Sequence, residues 1–261
     1  MTTALITGAS SGIGYELTRL FAADRYDLVL VARRQQTLEQ LAEELREEYA
    51  IRVKVIAKDL AQPGIADEIF QEVRQESIRI DVLVNNAGFG TFGFFSEIDI
   101  ASTLEMLHIN MISLTHLTRL FLKEMLEQKS GRILNVASTA AFQAGPLMAT
   151  YYASKSYVLL FSEALAEELR ATGVTVTVLC PGPTFTGFQK RAYMETSKLV
   201  SGKVLPVMDA RAVAKIGYQG LMKGKTIVIP GLLNRALAFS VRLTPRKLVT
   251  KISRALQEKR R

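Results

Sequence analysis

The 261-residue chain has few of the side chains that form disulfides or metal centres. Cys180 is its only cysteine, so no internal disulfide can form, and this suits a reducing compartment. His108 and His116 are its only histidines, and with a single cysteine they do not supply the four ligands of a structural zinc site. We therefore predict no metal. With 48% hydrophobic residues, the chain can bury a core without cross-links.

Long apolar runs are also missing. No stretch approaches the roughly 20 apolar residues that a membrane-spanning helix needs. The first predicted strand begins near residue 3, which leaves no room for a signal peptide before it. We therefore expect a cytoplasmic protein.

Acidic residues are scarce in one segment only. The whole chain carries a net charge of +8, and residues 232–261 alone account for it, with nine basic side chains against Glu258. Residues 1–231 are therefore neutral overall, which argues against nucleic-acid binding by the whole fold. The basic residues of the segment are Arg235, Arg242, Arg246, Lys247, Lys251, Arg254, Lys259, Arg260 and Arg261.

Short apolar strands alternate with amphipathic helical stretches along residues 1–231. This alternation predicts one α/β domain, a doubly wound, Rossmann-type sheet of seven parallel strands with helices on both faces. Residues 232–261 are predicted to form a basic, helical C-terminal extension, and segment 184–208 has no pattern that we can interpret. The predicted strands are 3–7, 27–32, 52–57, 81–85, 132–138, 174–179 and 226–229, and the helices begin at Ile13 and cover 35–49, 63–76, 99–128, 151–171 and 209–222.

The first strand leads into a glycine-rich turn and then into a helix. The glycines Gly8, Gly12 and Gly14 permit the tight turn, close approach of a ligand and close packing of the helix on the sheet. A helix N-terminus offers unpaired N–H groups and a positive dipole end to a phosphate. This segment therefore predicts a dinucleotide site, although its spacing is G-x-x-x-G-x-G rather than the more common G-x-G-x-x-G.

Tyr151 and Lys155 form the second informative pattern. Residues four apart are neighbours on one helix face. A nearby ammonium favours the phenolate, so we predict that Lys155 lowers the pKa of Tyr151 and lets it exchange a proton with a carbonyl or alcohol oxygen. Tyr152 is interpreted as a packing residue or a substrate contact.

With Asn85-Asn86-Ala87-Gly88 at the end of the fourth strand, these motifs resemble the short-chain dehydrogenase/reductase family over residues 3–184. The resemblance implies that Ser138 orients the substrate oxygen and that Asn110 bends its helix and holds a water beside the lysine. It also implies a homodimer or tetramer, associated through the long helices. The implied cofactor contacts are Thr7, Gly8, Ser10, Ser11, Gly12, Ile13, Gly14, Asp59, Leu60, Asn86, Ala87, Gly88, Tyr151, Lys155, Pro181, Gly182 and Thr184, with Asp59 at the adenine edge or, alternatively, capping a helix.

The end of the second strand indicates which cofactor is used. A carboxylate there would accept hydrogen bonds from the ribose hydroxyls of NAD. The strand ends instead in Arg33-Arg34, and a guanidinium suits a 2′-phosphate. We predict NADP(H), with Arg33 as the preferred contact and a solvated arginine as the alternative.

Aromatic residues are concentrated in the loops around the predicted site. They suggest an apolar small-molecule carbonyl or alcohol substrate, because such side chains line most ligand pockets; ordinary core packing beneath the loops is the alternative. No G-x-S-x-G motif is present, which argues against hydrolase chemistry. The aromatic residues are Phe89, Phe92, Phe94, Phe95, Phe142, Phe185, Phe188 and Tyr193.

These patterns favour NADP(H)-dependent, reversible reduction of a ketone or aldehyde. Two other functions remain open: a catalytically silent NADP(H)-binding regulator, and a docking protein acting through its basic tail. In that tail, Thr244-Pro245 predicts a helix start, and Leu248, Val249, Ile252 and Leu256 recur at helical spacing among basic residues. This pattern predicts either peripheral contact with an anionic membrane or packing of the helix on its own subunit or a neighbouring one, with its charges solvated.

Overall fold

A seven-stranded parallel sheet forms the centre of the computed structural model, which describes residues 2–187 and 207–258. The strands lie in the order β3-β2-β1-β4-β5-β6-β9, so the chain reverses direction across the sheet between β1 and β4. This confirms the predicted Rossmann-type architecture. The strands are β1 (Thr3–Thr7), β2 (Asp27–Ala32), β3 (Val53–Ala57), β4 (Val82–Asn85), β5 (Gly131–Val136), β6 (Val174–Leu179) and β9 (Ile227–Val228), and β7 (Thr184–Phe185) pairs separately with β8 (Met208–Asp209).

Helices cover both faces of the sheet, because successive strand residues point to opposite sides. Ile6 packs in one buried cluster with Leu17 and Val213, whereas Leu5 packs in another with Ile69 and Phe121. The helices are α1 (Gly12–Ala23), α2 (Gln35–Tyr49), α3 (Ile65–Gln75), α4 (Ile100–Leu107), α5 (Leu114–Glu127), α6 (Ala149–Glu168), α7 (Ala210–Met222), α8 (Leu232–Ser240) and α9 (Arg246–Gln257).

Helix ends shift from the predicted positions by up to three residues, as in α6, and two differences are more informative. The helix expected over 99–128 contains a π-helical segment, His108–Ser113, between α4 and α5. Such segments are often found at functional sites. The tail helix α9 begins at Arg246 with Pro245 as its N-cap, so the prediction of Thr244 as the cap and Pro245 as the first helical residue was wrong by one position.

The C-terminal helices pack against the rest of the molecule. Asn234 and Ala238 of α8 are buried, as are Ser253 and Gln257 of α9. The predicted packing of the tail on its own subunit is thus observed, whereas the boundary at residue 231 stays a prediction. Among the residues that the structure describes, no helix has the length and apolar character needed to cross a bilayer.

Candidate active site

A cavity of about 790 Å³ opens at the carboxyl ends of the central strands, where ligands bind in doubly wound sheets. Its floor comes from the strand ends and its roof from α8 and α9. Most of the predicted site residues line it. Those that do are Gly8, Ser10, Ser11, Gly12, Ile13, Arg33, Asp59, Leu60, Asn86, Ala87, Gly88, Ser138, Tyr151, Lys155, Pro181, Gly182 and Thr184.

The glycine-rich turn forms one end of the cavity. Gly8 has a φ of +67°, a conformation that other residues rarely adopt, and its amide donates to the carbonyl of Val31 at 2.8 Å. Gly14 does not line the cavity but lies beneath it, where an added Cβ would be 2.3 Å from the Gly8 carbonyl oxygen. Only glycine allows α1 to start this close to the turn.

Thr7 also acts from beneath the cavity. Its hydroxyl oxygen accepts hydrogen bonds from the backbone amides of Asn86 and Ala87, both at 3.0 Å. The side chain of Asn86 donates in return to the Thr7 carbonyl at 2.9 Å. These bonds join the ends of β1 and β4, so Thr7 and Asn86 fix the shape of the turn.

Two arginines stand at the same end of the cavity. Nη2 of Arg34 donates to the backbone carbonyl and the hydroxyl of Ser10, at 3.0 and 3.1 Å. Nη1 of Arg33 lies 3.3 Å from Glu105 and 3.9 Å from Asp59. Arg34 therefore contacts the glycine-rich turn, which sequence reasoning missed, whereas Arg33 lines the cavity beside two carboxylates.

Asp59 does not cap a helix, which had been its alternative role. Its Oδ1 accepts from the amide of Ala61 at 3.1 Å within a turn, and α3 starts only at Ile65. The carboxylate lines the cavity close to Arg33.

Tyr151 and Ser138 meet at the centre of the cavity. Both side chains line the cavity, and the Ser138 oxygen accepts from the amide of Ala140 at 3.1 Å. Burial raises the pKa of Tyr151 above its ordinary value, and the neighbouring Ser138 hydroxyl opposes that rise. The predicted lowering of this pKa by Lys155 is therefore absent from the protein alone.

Lys155 is buried beside the tyrosine. Its Nζ lies 5.9 Å from the centre of the Tyr151 ring and donates to the carbonyl of Val136 at 2.9 Å. Burial lowers the pKa of Lys155 to about 8. A lysine with this pKa is still mostly charged at pH 7 and loses its proton as the pH rises through 8; shifted pKa values of this kind are common at functional sites.

Asn110 supports the site without lining the cavity. It lies in the π-helical segment; its Oδ1 accepts from the Phe89 amide at 3.2 Å and its Nδ2 donates to the Phe89 carbonyl at 3.0 Å, while the bend and the bound water stay predictions. It also donates to the hydroxyl of Ser154 at 3.0 Å. The described contacts therefore assign Asn110 to holding the loop after β4 in place.

The third side of the cavity follows β6. Thr184 lines it and donates to the carbonyl of Gly182 at 2.9 Å. Gly182 is covered by Asn234 of α8, whose Nδ2 would be 2.6 Å from an added Cβ. This close contact brings α8 directly over the strand end.

The apolar wall differs from the one predicted. Of the described aromatic residues in the predicted set, only Phe89 lines the cavity; Phe94, Phe95 and Phe185 are at least half exposed. Phe188 and Tyr193 lie outside the described residues. The C-terminal segment instead supplies apolar lining that the prediction did not include. The side chains are Leu237, Ala238, Val241, Val249, Ile252 and Leu256.

Val249, Ile252 and Leu256 recur at helical spacing in the sequence, a signal that predicts either contact with a membrane or packing on protein. A stripe shows that a helix has an apolar side but not what covers it. The buried polar residues on the same side of α9, Ser253 and Gln257, distinguish a face packed on protein from one facing lipid.

Comparisons with known proteins agree with this geometry. A model of the short chain dehydrogenase family matches residues 2–196. Relatives include the ketoacyl reductase HetN of Nostoc sp. (34% identical, covering 82% of this chain and 74% of the relative) and a very-long-chain 3-oxoacyl-CoA reductase of Anas platyrhynchos (33%, covering 85% and 70%). A short-chain dehydrogenase from Sphingobium yanoikuyae, solved with NADPH, superposes with a TM-score of 0.84 at 30% identity, covering 95% of each chain. The chain belongs to the short-chain dehydrogenase family and is an oxidoreductase.

Proposed function

We propose that this enzyme reduces an apolar ketone or aldehyde to an alcohol, reversibly, with NADP(H) as its cofactor and Tyr151 as the group that exchanges the proton. One observation carries the proposal: Ser138 and Tyr151 line the same cavity as the glycine-rich turn and the arginine pair. A carbonyl beside Tyr151 would then share a single space with a dinucleotide.

The residues present fit NADP(H). Gly8 and Gly14 leave a turn in which side chains would clash, and the start of α1 directs its amides toward that space. No carboxylate follows β2 directly, whereas Arg33 and Arg34 supply the positive charge that a 2′-phosphate requires. The solved relative from Sphingobium yanoikuyae was obtained with NADPH.

The side chains divide the chemistry among them. NADPH, when bound, supplies the hydride that reaches the carbonyl carbon. Tyr151 gives its phenolic proton to the carbonyl oxygen, and Ser138 hydrogen-bonds the same oxygen as negative charge develops on it. Lys155 stabilises the resulting phenolate, because its ammonium lies on the same helix face. Asn110 holds the loop that borders the substrate.

The apolar roof supports an apolar substrate. Leu237 and Leu256 bring hydrocarbon surface to the cavity that Tyr151 also lines. The two curated relatives carry names that refer to ketoacyl and very-long-chain 3-oxoacyl compounds. Both are carbonyl compounds with hydrocarbon chains, in keeping with this roof.

The test is NADPH oxidation with ketones of increasing chain length. We expect kcat/KM to rise with each added methylene by a few fold, since burial of a CH₂ contributes about 0.8 kcal/mol. Leu237→Ser should flatten this dependence, whereas Leu232→Ser, on the same helix but 81% exposed, should not. A purified protein that binds NADPH and reduces no carbonyl compound would favour the silent-regulator alternative.

We propose a second property for the C-terminal segment, peripheral contact with an anionic membrane surface. Leu232, Phe239 and Leu243 are 81%, 61% and 76% exposed, and Arg242 and Lys247 are exposed near them in the chain. Apolar side chains beside cations are typical of surfaces that bind anionic lipid. Such contact would bring the roof of the cavity close to a source of apolar substrate.

We further propose that the chain forms a cytoplasmic homodimer or tetramer through its long helices. Leu104 of α4, Ile112 of the π-helical segment and Leu160 of α6 are 58%, 55% and 65% exposed. Exposed apolar side chains on long helices are suited to association between subunits. Sedimentation velocity of the full chain, with Leu160→Asp as the variant expected to dissociate it, tests the assignment.

A further inference from the structure

Residues 181–186 run along one wall of the cavity, from the reacting groups to the glycine-rich turn. At one end, the Ser138 hydroxyl donates to the carbonyl of Pro181 at 3.4 Å. At the other end, a Cβ added to Gly12 would be 3.0 Å from the side chain of Thr186. A dinucleotide with its phosphates at the turn and its nicotinamide beside Ser138 would therefore follow this wall, with the nicotinamide at the Pro181 end.

Asn234, in the first turn of α8, covers the wall at that same end. Its amide lies against Gly182, since a Cβ added to this glycine would be 2.6 Å from Nδ2 and 2.7 Å from Oδ1. The side chain lines the cavity, although the residue is only 4% exposed. Asn234 is therefore a buried polar group at the place where the roof meets the reacting end of the floor.

The two polar atoms of the Asn234 amide differ in their partners. Nδ2 donates to the carbonyl of Pro230 at 2.8 Å, and because a carbonyl can only accept, this bond turns Oδ1 away from Pro230. Within residues 2–187 and 207–258, no group donates to Oδ1; unlike the amide of Gln257, this oxygen is not enclosed by protein atoms. Most buried acceptors in folded proteins have a partner. Asn234 therefore offers a positioned acceptor to a ligand in the cavity.

We propose that Oδ1 of Asn234 accepts a hydrogen bond from the carboxamide N–H₂ of the nicotinamide, so that α8 contributes a residue to the cofactor site. The inference rests on the proposed function and extends it, because Asn234 lies beyond the residues 2–196 that the family model matches. The carboxamide is the group of the nicotinamide ring that carries N–H donors, and an amide oxygen is a suitable acceptor for them. The bond limits rotation of the ring, and so helps to set which face of the ring is turned toward Tyr151.

The experiment compares NADP⁺ with its 3-acetylpyridine analogue, in which a methyl group replaces the carboxamide nitrogen. Isothermal titration calorimetry with the full chain measures the Kd of each. We expect the wild type to bind NADP⁺ about tenfold more tightly than the analogue, because only the carboxamide can donate to Oδ1. Asn234→Leu removes the acceptor at similar side-chain size, and it should lower this affinity ratio about five- to tenfold.

Asn234→Asp is the matched control, because it also loses the Nδ2 bond to Pro230 but keeps an acceptor oxygen. Its added charge acts equally on the two cofactors, whose pyridinium rings carry the same charge, so the affinity ratio should stay within about threefold of the wild-type ratio. Asn234→Ala adds no bulk beside Gly182. It should repeat the loss expected of Asn234→Leu, and it replaces that variant if Asn234→Leu does not fold.

Equal Kd values for the two cofactors in the wild type, or a wild-type ratio in the leucine or alanine variant, would overturn the role of Asn234 while leaving the proposed reduction intact. A ratio lost in Asn234→Asp as well would show that the bond to Pro230 merely positions α8, and would overturn it too. A chain that binds neither cofactor would instead refute the proposed function, and the role of Asn234 with it.

Discussion

The floor and the roof of the cavity are held together in different ways. The floor depends on backbone ends of a central sheet and on a buried chain of polar side chains: Asn85 donates to Thr118 and Asn135, and Asn135 donates to Ser162, each at 2.9 Å. The roof is two short helices whose outer side carries exposed leucines and cations. The floor can therefore hold reacting groups in fixed positions, whereas the roof can vary without disturbing the sheet.

This difference suggests a division of labour in which the floor performs the chemistry and the roof selects the substrate. Precise positioning of proton donors matters greatly for rate, and sites on rigid elements are more precise than sites on loops. Selectivity among apolar substrates needs only surface complementarity.

The largest effect that tests the division is expected from Tyr151→Phe. Loss of a proton donor typically lowers the rate by 10²–10⁴-fold, and it should do so here with every substrate, while NADPH affinity stays within about threefold. The neighbouring substitution Tyr152→Phe should leave turnover of a simple methyl ketone nearly unchanged. Steady-state kinetics measures turnover by each variant, and fluorescence titration measures its affinity for NADPH. An active Tyr151→Phe together with an inactive Tyr152→Phe would reverse the assignment.

A smaller effect is expected from Arg33→Ala. Removing a charged hydrogen bond to a 2′-phosphate costs about 1–3 kcal/mol, so NADPH should bind roughly 10–100-fold more weakly and NADH almost as before. Because Arg34 contacts Ser10, Arg34→Ala should also disturb the glycine-rich turn, and it should therefore weaken the binding of both NADPH and NADH. Equal affinity of the wild type for NADPH and NADH would contradict the cofactor assignment.

Much of the floor could be predicted from the sequence because its signals are local. Buried parallel strands are continuous apolar runs, so 27–32 and 174–179 were predicted with their observed bounds. Gly8 and Gly14 occupy backbone positions where a larger residue would be strained or would clash. Their places in the sequence therefore predict where α1 starts. The doubly wound, parallel arrangement of the sheet followed from the alternation of strands and helices, whereas the order of the strands is known from the structure alone.

The roof could not be predicted in the same way, because its partners are distant in the chain. The spacing of Val249, Ile252 and Leu256 predicts a helix with an apolar side, but not that this side covers Tyr152. The pKa of Tyr151 was mispredicted for a related reason. Proximity to Lys155 is visible in the sequence, whereas the burial that dominates the pKa depends on the packed fold.

Lys155 provides a smaller, pH-dependent test of the floor. Its pKa is about 8 in the folded protein against 10.5 for the ordinary side chain. Between these pH values the Lys155 side chain is protonated in the unfolded chain but has lost its proton in the folded protein. The contribution of Lys155 to the free energy of unfolding therefore increases as the pH rises from about 8 to 10. Burial raises the pKa of the Cys180 thiol to about 12, which acts in the opposite direction above pH 9.

The contribution of Lys155 is therefore isolated by comparison with Lys155→Met. We expect the free energy of unfolding of the wild type, minus that of the variant, to increase by on the order of 1–2 kcal/mol between pH 7 and about 9.5. Urea denaturation without cofactor, followed by far-UV circular dichroism, gives both values. A pH-independent difference would show that the lysine titrates as it does in water.

The smallest effect is expected on the outer side of the roof, where the proposed membrane contact is tested. Removing residues 232–261 would also remove the wall of the cavity, so single substitutions are the sharper probe. Each cation near an anionic surface contributes about 1 kcal/mol, so Lys247→Ala should weaken binding to vesicles rich in anionic lipid roughly fivefold at low salt. Lys215→Ala, exposed on α7, is the matched control and should have no effect. Co-sedimentation at low and high salt measures the difference; binding that is unaffected by Lys247→Ala, or absent at low salt, would leave the roof with its substrate role alone.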